Sequence, residues 1–359
     1  MNINSFMNNG ISLAVGTASS FYMKNKAVRS YIAGLASVMR ENAVIRRQYE
    51  KEGVHVPPYL IASIASQCNL HCMGCYARAG GVCDAHHAEQ EMDAGQWERI
   101  FKEAAQLGVS FILLAGGEPL LRKDVIETAA RFKRMVFPVF TNGTMITGNN
   151  LTLFDQNRNI IPVLSIEGSA EETDSRRGEG VSAVVDEAMK RLNRLNILFG
   201  VSVTVTNRNK YKVTDARFLR KLSHRGCGLV FFVEYVPAES GTEELVLSPD
   251  ACKVLNDRVG YLRRKLKQMI IVSFPGDEEK MGGCLAAGRG FFHINPSGGA
   301  EPCPFAPFSK LSLKDTPILE VLKSDYFEKL RELELNAKTH KGGCTLFEIL
   351  DQVEQLASQ

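Results

Sequence analysis

From Tyr59 onward the chain alternates between short, almost wholly apolar runs and longer stretches with helical spacing. The apolar runs are 59–66, 110–116, 137–143, 160–168, 199–207 and 229–237. Helices are expected between them near 94–107, 122–134, 181–196 and 214–223, with a weaker one near 149–156. Strands that are apolar along their whole length are covered on both faces, and strands separated by helices run parallel. The pattern therefore predicts an α/β fold, either a doubly wound sheet or an open barrel wrapped by helices. In both, chemistry gathers at the carboxyl ends of the strands. The unusual residues fall there. Cys68 follows the first run, Gly116-Gly117-Glu118 the second, Asn142-Gly143 the third and Glu167-Gly168 the fourth.

The flanks read differently. In residues 24–47, Val28, Tyr31, Ile32, Leu35, Val38 and Met39 recur at intervals of three and four among basic residues, which predicts an amphipathic helix. Its apolar face suits packing on the body, the preferred reading, or contact with an anionic membrane surface. His55-Val56-Pro57-Pro58 ends it. A helix is expected over 248–268 and an apolar run over 269–274. Beyond Pro275 the chain is rich in Gly and Pro, with a hairpin expected over 290–303 that turns at Asn295–Gly299. Three parts follow: a helical extension (1–57), a barrel (58–274) and a smaller appended domain (275–359).

Composition narrows the class. The 359 residues, 45% of them hydrophobic, can build more than one unit. Of the net charge of +3, residues 1–52 carry +4, leaving a nearly neutral body with no nucleic-acid footprint. No eighteen-residue apolar run is present, and the N-terminal twenty residues lack the basic start of a signal peptide. The nine cysteines include three within eight positions, Cys68, Cys72 and Cys75. An odd, tight set points to metal or redox chemistry in a reducing, cytoplasmic setting.

Three thiolates can hold three corners of a [4Fe–4S] cluster and leave the fourth iron open. A zinc site wants a fourth protein ligand, for which His71, His86 or His87 are near in sequence. A simple electron carrier wants a fourth cysteine, and Cys83 is close. Spacing alone leaves an iron–sulfur electron-transfer protein and a zinc module open beside an enzyme.

The surrounding segments carry a resemblance. Cys68-x3-Cys72-x2-Cys75 after a first strand, with Gly116-Gly117-Glu118-Pro119 ending the second, resembles the radical SAM enzymes over roughly 59–275. The resemblance implies a partial (β/α)6 TIM-like barrel, a [4Fe–4S] cluster on Cys68, Cys72 and Cys75, and S-adenosylmethionine on the open iron. One electron from an external donor, of flavodoxin or ferredoxin type, cleaves the cofactor to a 5′-deoxyadenosyl radical, which takes hydrogen from a substrate. It also implies cofactor contacts from Gly74, Gly116, Gly117, Glu118, Ser165 and Glu167. Gly116 and Gly117, lacking side chains, let backbone approach the methionine amino group. Gly74 departs from the pattern, since that position is often aromatic, so any stacking must come from elsewhere.

Cys284, Gly298 and Cys303 are spaced like the opening of the SPASM and twitch domains that hold auxiliary clusters in many such enzymes, and Cys344 follows in Lys-Gly-Gly-Cys. This implies a shortened, twitch-like domain with an auxiliary [4Fe–4S] cluster on Cys284, Cys303 and Cys344, one iron staying open unless Cys83 or another group completes it. Cys227 and Cys252 read as core; Cys83 could donate a hydrogen atom, ligate iron or be idle, the last being the preferred reading. Glu234 sits at a strand end facing the site on topology alone, a place that suits a structural role as well as a functional one. The expected substrate is a peptide or a small molecule, including a lipid met at a membrane surface.

Overall fold

The computed structural model describes residues 26–83, 90–336 and 344–358, with single positions 16 and 88 besides. His86, His87 and the first 25 residues apart from Gly16 lie outside that description. Ten strands form one open sheet in the order β10-β9-β8-β1-β2-β3-β4-β5-β6-β7. Seven are parallel neighbours: β1 (Tyr59–Ala65), β2 (Phe111–Gly116), β3 (Phe137–Thr141), β4 (Ile160–Ile166), β5 (Phe199–Val205), β6 (Cys227–Glu234) and β7 (Ile270–Phe274). The partial α/β barrel is therefore present, with one more parallel strand than the six expected. The run 269–274 supplies it by pairing beside β6.

Helices wrap one face: α1 (Lys26–Lys51), α2 (Tyr76–Ala79), α3 (Ala94–Gln106), α4 (Lys123–Ala130), α5 (Gly148–Gln156), α6 (Ala170–Arg177), α7 (Val181–Arg194), α8 (Lys210–Val213), α9 (Ala216–His224) and α10 (Pro249–Lys265). Their starts follow local chemistry. Asp93 and Gln96 close a capping box on α3, and Ser169 and Glu172 close one on α6. Ser248 caps α10 ahead of Pro249. Alternate strand residues, such as Leu60, Ala62 and Ile64 of β1 and Val201, Val203 and Val205 of β5, bury against this layer. The other parity faces the interior, where Phe140 of β3 meets Phe231 of β6 at 5.1 Å between ring centres.

The apolar face of α1 is spent inside the molecule. Leu35 and Met39 bury against Val136 and Leu198, with Phe111 and Ile161 alongside, so the helix crosses the amino ends of the strands. Arg46 is buried as well, its guanidinium donating to Gly108 O and, at 3.1 Å, to Ser110 Oγ.

The C-terminal hairpin does not stand apart from the barrel. β8 (His293–Ile294) pairs parallel with β1, and β9 (Gly299–Glu301) and β10 (Leu311–Ser312) continue antiparallel. A buried line of polar groups stitches this seam. Ser63 Oγ lies 2.8 Å from His293 Nε2, His293 Nδ1 lies 2.6 Å from Glu301 Oε2, and Asn295 donates to Glu301 Oε1 at 2.6 Å. Four further helices follow, α11 (Ile318–Lys323), α12 (Asp325–Asn336), α13 (Thr345–Glu348) and α14 (Leu350–Ser358).

Candidate active site

The loop after β1 carries Cys68, Cys72 and Cys75, each half-buried. Neighbouring strand ends hold it from several sides. Asn142 and Thr144, beyond β3, exchange hydrogen bonds with the Asn69 side chain at 2.8 and 2.9 Å. The Met73 amide donates to Arg176 O at 2.9 Å, and Arg176 Nε returns a bond to Met73 O at 3.1 Å. The Gly74 amide donates to Glu239 Oε2 at 2.5 Å. Met73 itself is 43% exposed, and His71 is exposed beside it.

Burial pushes the Cys68 and Cys72 thiols up, and neighbouring cysteines add to the shift. Against it, Arg177 and Arg176 pull Cys72 down. The three thiols thus sit within electrostatic reach of one another, with two guanidinium groups beside them. Among the described residues no three His, Cys, Asp or Glu side chains converge as they would on a single ion. A four-iron cluster spreads its thiolates, one to each iron.

Gly116 and Gly117 serve the loop's backbone. A Cβ on Gly116, where φ is +122°, would collide with Ala65, and one on Gly117 would collide with Gln67. The amides of Gly117 and Glu118 donate to Ala65 O and Gln67 O, each at 2.7 Å. The end of β2 is thus pressed onto the start of the cysteine loop, which only glycine permits. Glu118 is buried and its carboxylate accepts from Thr141 Oγ1 at 2.7 Å, Asn142 N at 2.8 Å and Leu120 N at 3.0 Å. Burial raises its pKa and these bonds oppose the rise.

Glu167, just past β4, is equally buried but differently used. Its Oε1 takes Arg176 Nη1 at 2.6 Å and Arg177 Nη2 at 2.6 Å, while Oε2 has no hydrogen-bond partner. Arg176 also donates to Thr204 Oγ1 at 2.8 Å. Ser165 and Ser202 are half-buried partners on β4 and β5, on the interior parity. The sequence reading missed Arg176, Arg177, Tyr235 and Glu239. The first two lie on α6, which Ser169-x-x-Glu172 announces as a capping box. Tyr235 stands in the space beside Gly74, where φ is +64°, so that a Cβ at 74 would run into the tyrosine ring. Glu234, read from topology as facing the site, points the other way. Its Oε2 is 3.4 Å from the Cys252 thiol of α10, beneath the outer layer, because it shares strand parity with Val230 and Phe232.

The second set also gathers. Cys284, Cys303 and Cys344 are buried. Burial pushes the Cys303 thiol well up, with Cys344 and Cys284 as further causes. The hydrogen bond with Cys303 leaves Cys344 the more acidic of the two.

The radical SAM family model matches residues 63–215, from inside β1 to the start of α9. Residues 63–215 carry a radical SAM domain. This radical SAM enzyme is 27% identical over 320 residues to the AdoMet-dependent heme synthase of Methanosarcina barkeri, covering 81% of this chain and 88% of that one. It is 22% identical over 273 residues to the PqqA peptide cyclase of Granulibacter bethesdensis, covering 70% and 68%. In fold it resembles Streptococcus suis SuiB bound to its precursor peptide SuiA, with a TM-score of 0.64 at 18% identity over 85% of this chain and 75% of that one. The enzyme uses a [4Fe–4S] cluster and S-adenosylmethionine, needs a reductant, and takes hydrogen from its substrate. Among the described residues no helix is long and apolar enough to cross a membrane.

Proposed function

We propose that Cys68, Cys72 and Cys75 hold the catalytic cluster, and that Gly74, Gly116, Gly117, Glu118, Ser165 and Glu167 form the surroundings of S-adenosylmethionine. The observation that carries this is the free Oε2 of buried Glu167 at the end of β4. A buried carboxylate oxygen without a donor is costly unless a ligand supplies one. A hydroxyl-bearing ligand lying between the cysteine loop and β4 fits that need. The three nearby thiols fit the ligand set of an iron–sulfur cluster. Bound there, cluster and cofactor together supply a one-electron cleavage whose product radical abstracts hydrogen.

The chain's own residues then have separable tasks. Arg176 ties the cysteine loop to Glu167, since one guanidinium reaches Met73 O, Gly74 O and the carboxylate. Glu118 locks the ends of β2 and β3 and so fixes the loop from below. Ser202 and Thr204, half-buried on β5, line the interior. Exposed His71 and Met73 give an electron donor of flavodoxin or ferredoxin type access to the loop. Such chemistry suits a reducing cytoplasm. Contact of the N-terminal helix with a membrane would have to use its basic surface, because Leu35 and Met39 are buried.

We assign Cys284, Cys303 and Cys344 to an auxiliary [4Fe–4S] cluster in the segment 275–359, with 58–274 as the catalytic barrel and 1–57 as a helical extension. For the substrate the favoured class is a small molecule. The match to the heme synthase runs over most of both chains. A peptide is the second reading, favoured by the likeness to the PqqA peptide cyclase. The test is anaerobic. Reduced, iron-loaded protein should form 5′-deoxyadenosine from S-adenosylmethionine, and Cys72→Ala should abolish it. Absence of product from the fully loaded wild type defeats the site assignment. Stimulation of that product by an iron porphyrin precursor, and not by a peptide pool, marks the small-molecule class; the reverse result marks a peptide.

A further inference from the structure

The chain has nine cysteines. Three lie in the loop after β1. Two are accounted for elsewhere: Cys227 Sγ is 3.2 Å from Leu229 O within β6, and Cys252 Sγ is 3.4 Å from Glu234 Oε2 beneath α10. The other four are Cys83, Cys284, Cys303 and Cys344. Four is the number of thiolates that closes a [4Fe–4S] cluster, one per iron.

The fold seats the turn that carries Cys83 against the segment after Cys303. The Cys83 amide donates to Ala77 O at 2.9 Å, which turns the chain back just after α2. That turn leans on the segment following Cys303. Gly80 faces Pro304 O and Pro307 Cγ, with a Cβ there lying 3.8 and 3.7 Å away. The Tyr76 ring packs on Phe305 at 5.4 Å between centres. Cys303 O accepts from Ala306 N at 3.0 Å, so Cys303 heads the very turn on which 76–83 is seated.

Glu278 is buried near Cys284, but its Oε1 already accepts from Leu285 N at 3.2 Å. A carboxylate is also a harder ligand than the thiolates that iron–sulfur clusters select.

We propose that Cys83 is the fourth ligand of the auxiliary cluster, completing a site with Cys284, Cys303 and Cys344 that spans the barrel and the C-terminal segment. This rests on the assignment of the last three to a cluster. A closed cluster offers no iron to the substrate, so substrate contacts belong to the barrel interior.

The experiment isolates that cluster. In the full chain, Cys68→Ala, Cys72→Ala and Cys75→Ala together should leave about four irons per chain. Mild ferricyanide should then leave the cluster intact, because every iron is held. Adding Cys83→Ala should open one corner. The same oxidant should then remove one iron, leaving about three per chain and a three-iron paramagnetic resonance signal. If Cys83→Ala instead loses all its iron, adding 2-mercaptoethanol during loading should restore the cluster when a ligand is what was lost. Cys83→Ser should keep the iron and shift the spectrum. Identical oxidation behaviour with and without Cys83, whether both resist or both shed iron, overturns the assignment and leaves the second cluster standing. So does a loss of iron that the thiol fails to reverse. No iron in the triple variant overturns the second cluster itself.

Discussion

At the residue scale, two buried glutamates at the ends of β2 and β4 divide the work. Glu118 has its carboxylate saturated by three donors and is a structural tie. Glu167 keeps one oxygen free while the other holds two arginines. Glu167→Gln should therefore do two things. It leaves two largely buried guanidiniums without their counter-charge, costing about 3 kcal/mol in a urea titration. It should also weaken S-adenosylmethionine binding about tenfold or more in isothermal titration of the iron-loaded protein. Unchanged affinity would remove Glu167 from the cofactor's surroundings. Gly74 makes a sharper steric prediction. Gly74→Ala meets both a positive φ and the Tyr235 ring, so iron loading of the first site should fall. Adding Tyr235→Ala should restore loading only in part, since the ring is removed and the backbone strain of about 1 kcal/mol stays. The glutamate was legible in the sequence from its place after a strand. Its two arginine partners were not, because they lie on a helix whose polar composition hides it from a reading based on apolar periodicity.

At the scale of elements, α1 and the β8–β9 hairpin are the parts whose placement changed the picture. The apolar stripe of α1 was plain in the sequence, but what it covers was not. A stripe of Leu35 and Met39 fits a membrane or a protein surface equally well, and only the strand ends at Val136 and Leu198 decide between them. Met39→Ala should cost about 2–4 kcal/mol in denaturant unfolding, the range for a buried large-to-small change. Cofactor cleavage per folded molecule should stay unchanged, which a titrated turnover assay would check. Loss of cleavage at full folding would mean that the helix reaches the site. Glu301→Ala tests the seam. It strips the buried His293 of its Nδ1 partner and Asn295 of its acceptor. The expected cost is about 1–3 kcal/mol per orphaned group, read from a melting curve.

At the scale of the whole molecule, one continuous sheet joins the barrel to the segment that carries the second set of cysteines. β1 is the hinge of this arrangement: it pairs with β2 on one side and β8 on the other, and the first cysteine loop leaves from its end. Loading both clusters should therefore stabilise barrel and hairpin as one unit. Iron-loaded protein should melt in a single transition at higher temperature than the chelator-stripped chain, because ligands that bind only the folded state add their binding energy to folding. Two separate transitions that respond to different clusters would show that the seam does not couple the parts.

What the sequence determined by itself was the kind of chain and the location of its chemistry. Seven apolar runs, the seventh pairing beside β6, became parallel strands because residues apolar on both parities can only be buried on both faces. Three cysteines in eight positions fell at a strand end because local spacing is a covalent property that folding cannot alter. The tertiary structure decided everything that depends on two distant segments meeting. Cys83 and Cys303 lie 220 positions apart in the numbering, and only the seating of Gly80 on Pro304 and Pro307 brings their turns together. Glu234 shows the same from the other side. Its place at a strand end suggested the site, but strand parity turned it under α10. Parity relative to a core is set by which face the helices cover, and a run apolar on both faces carries no mark of that choice.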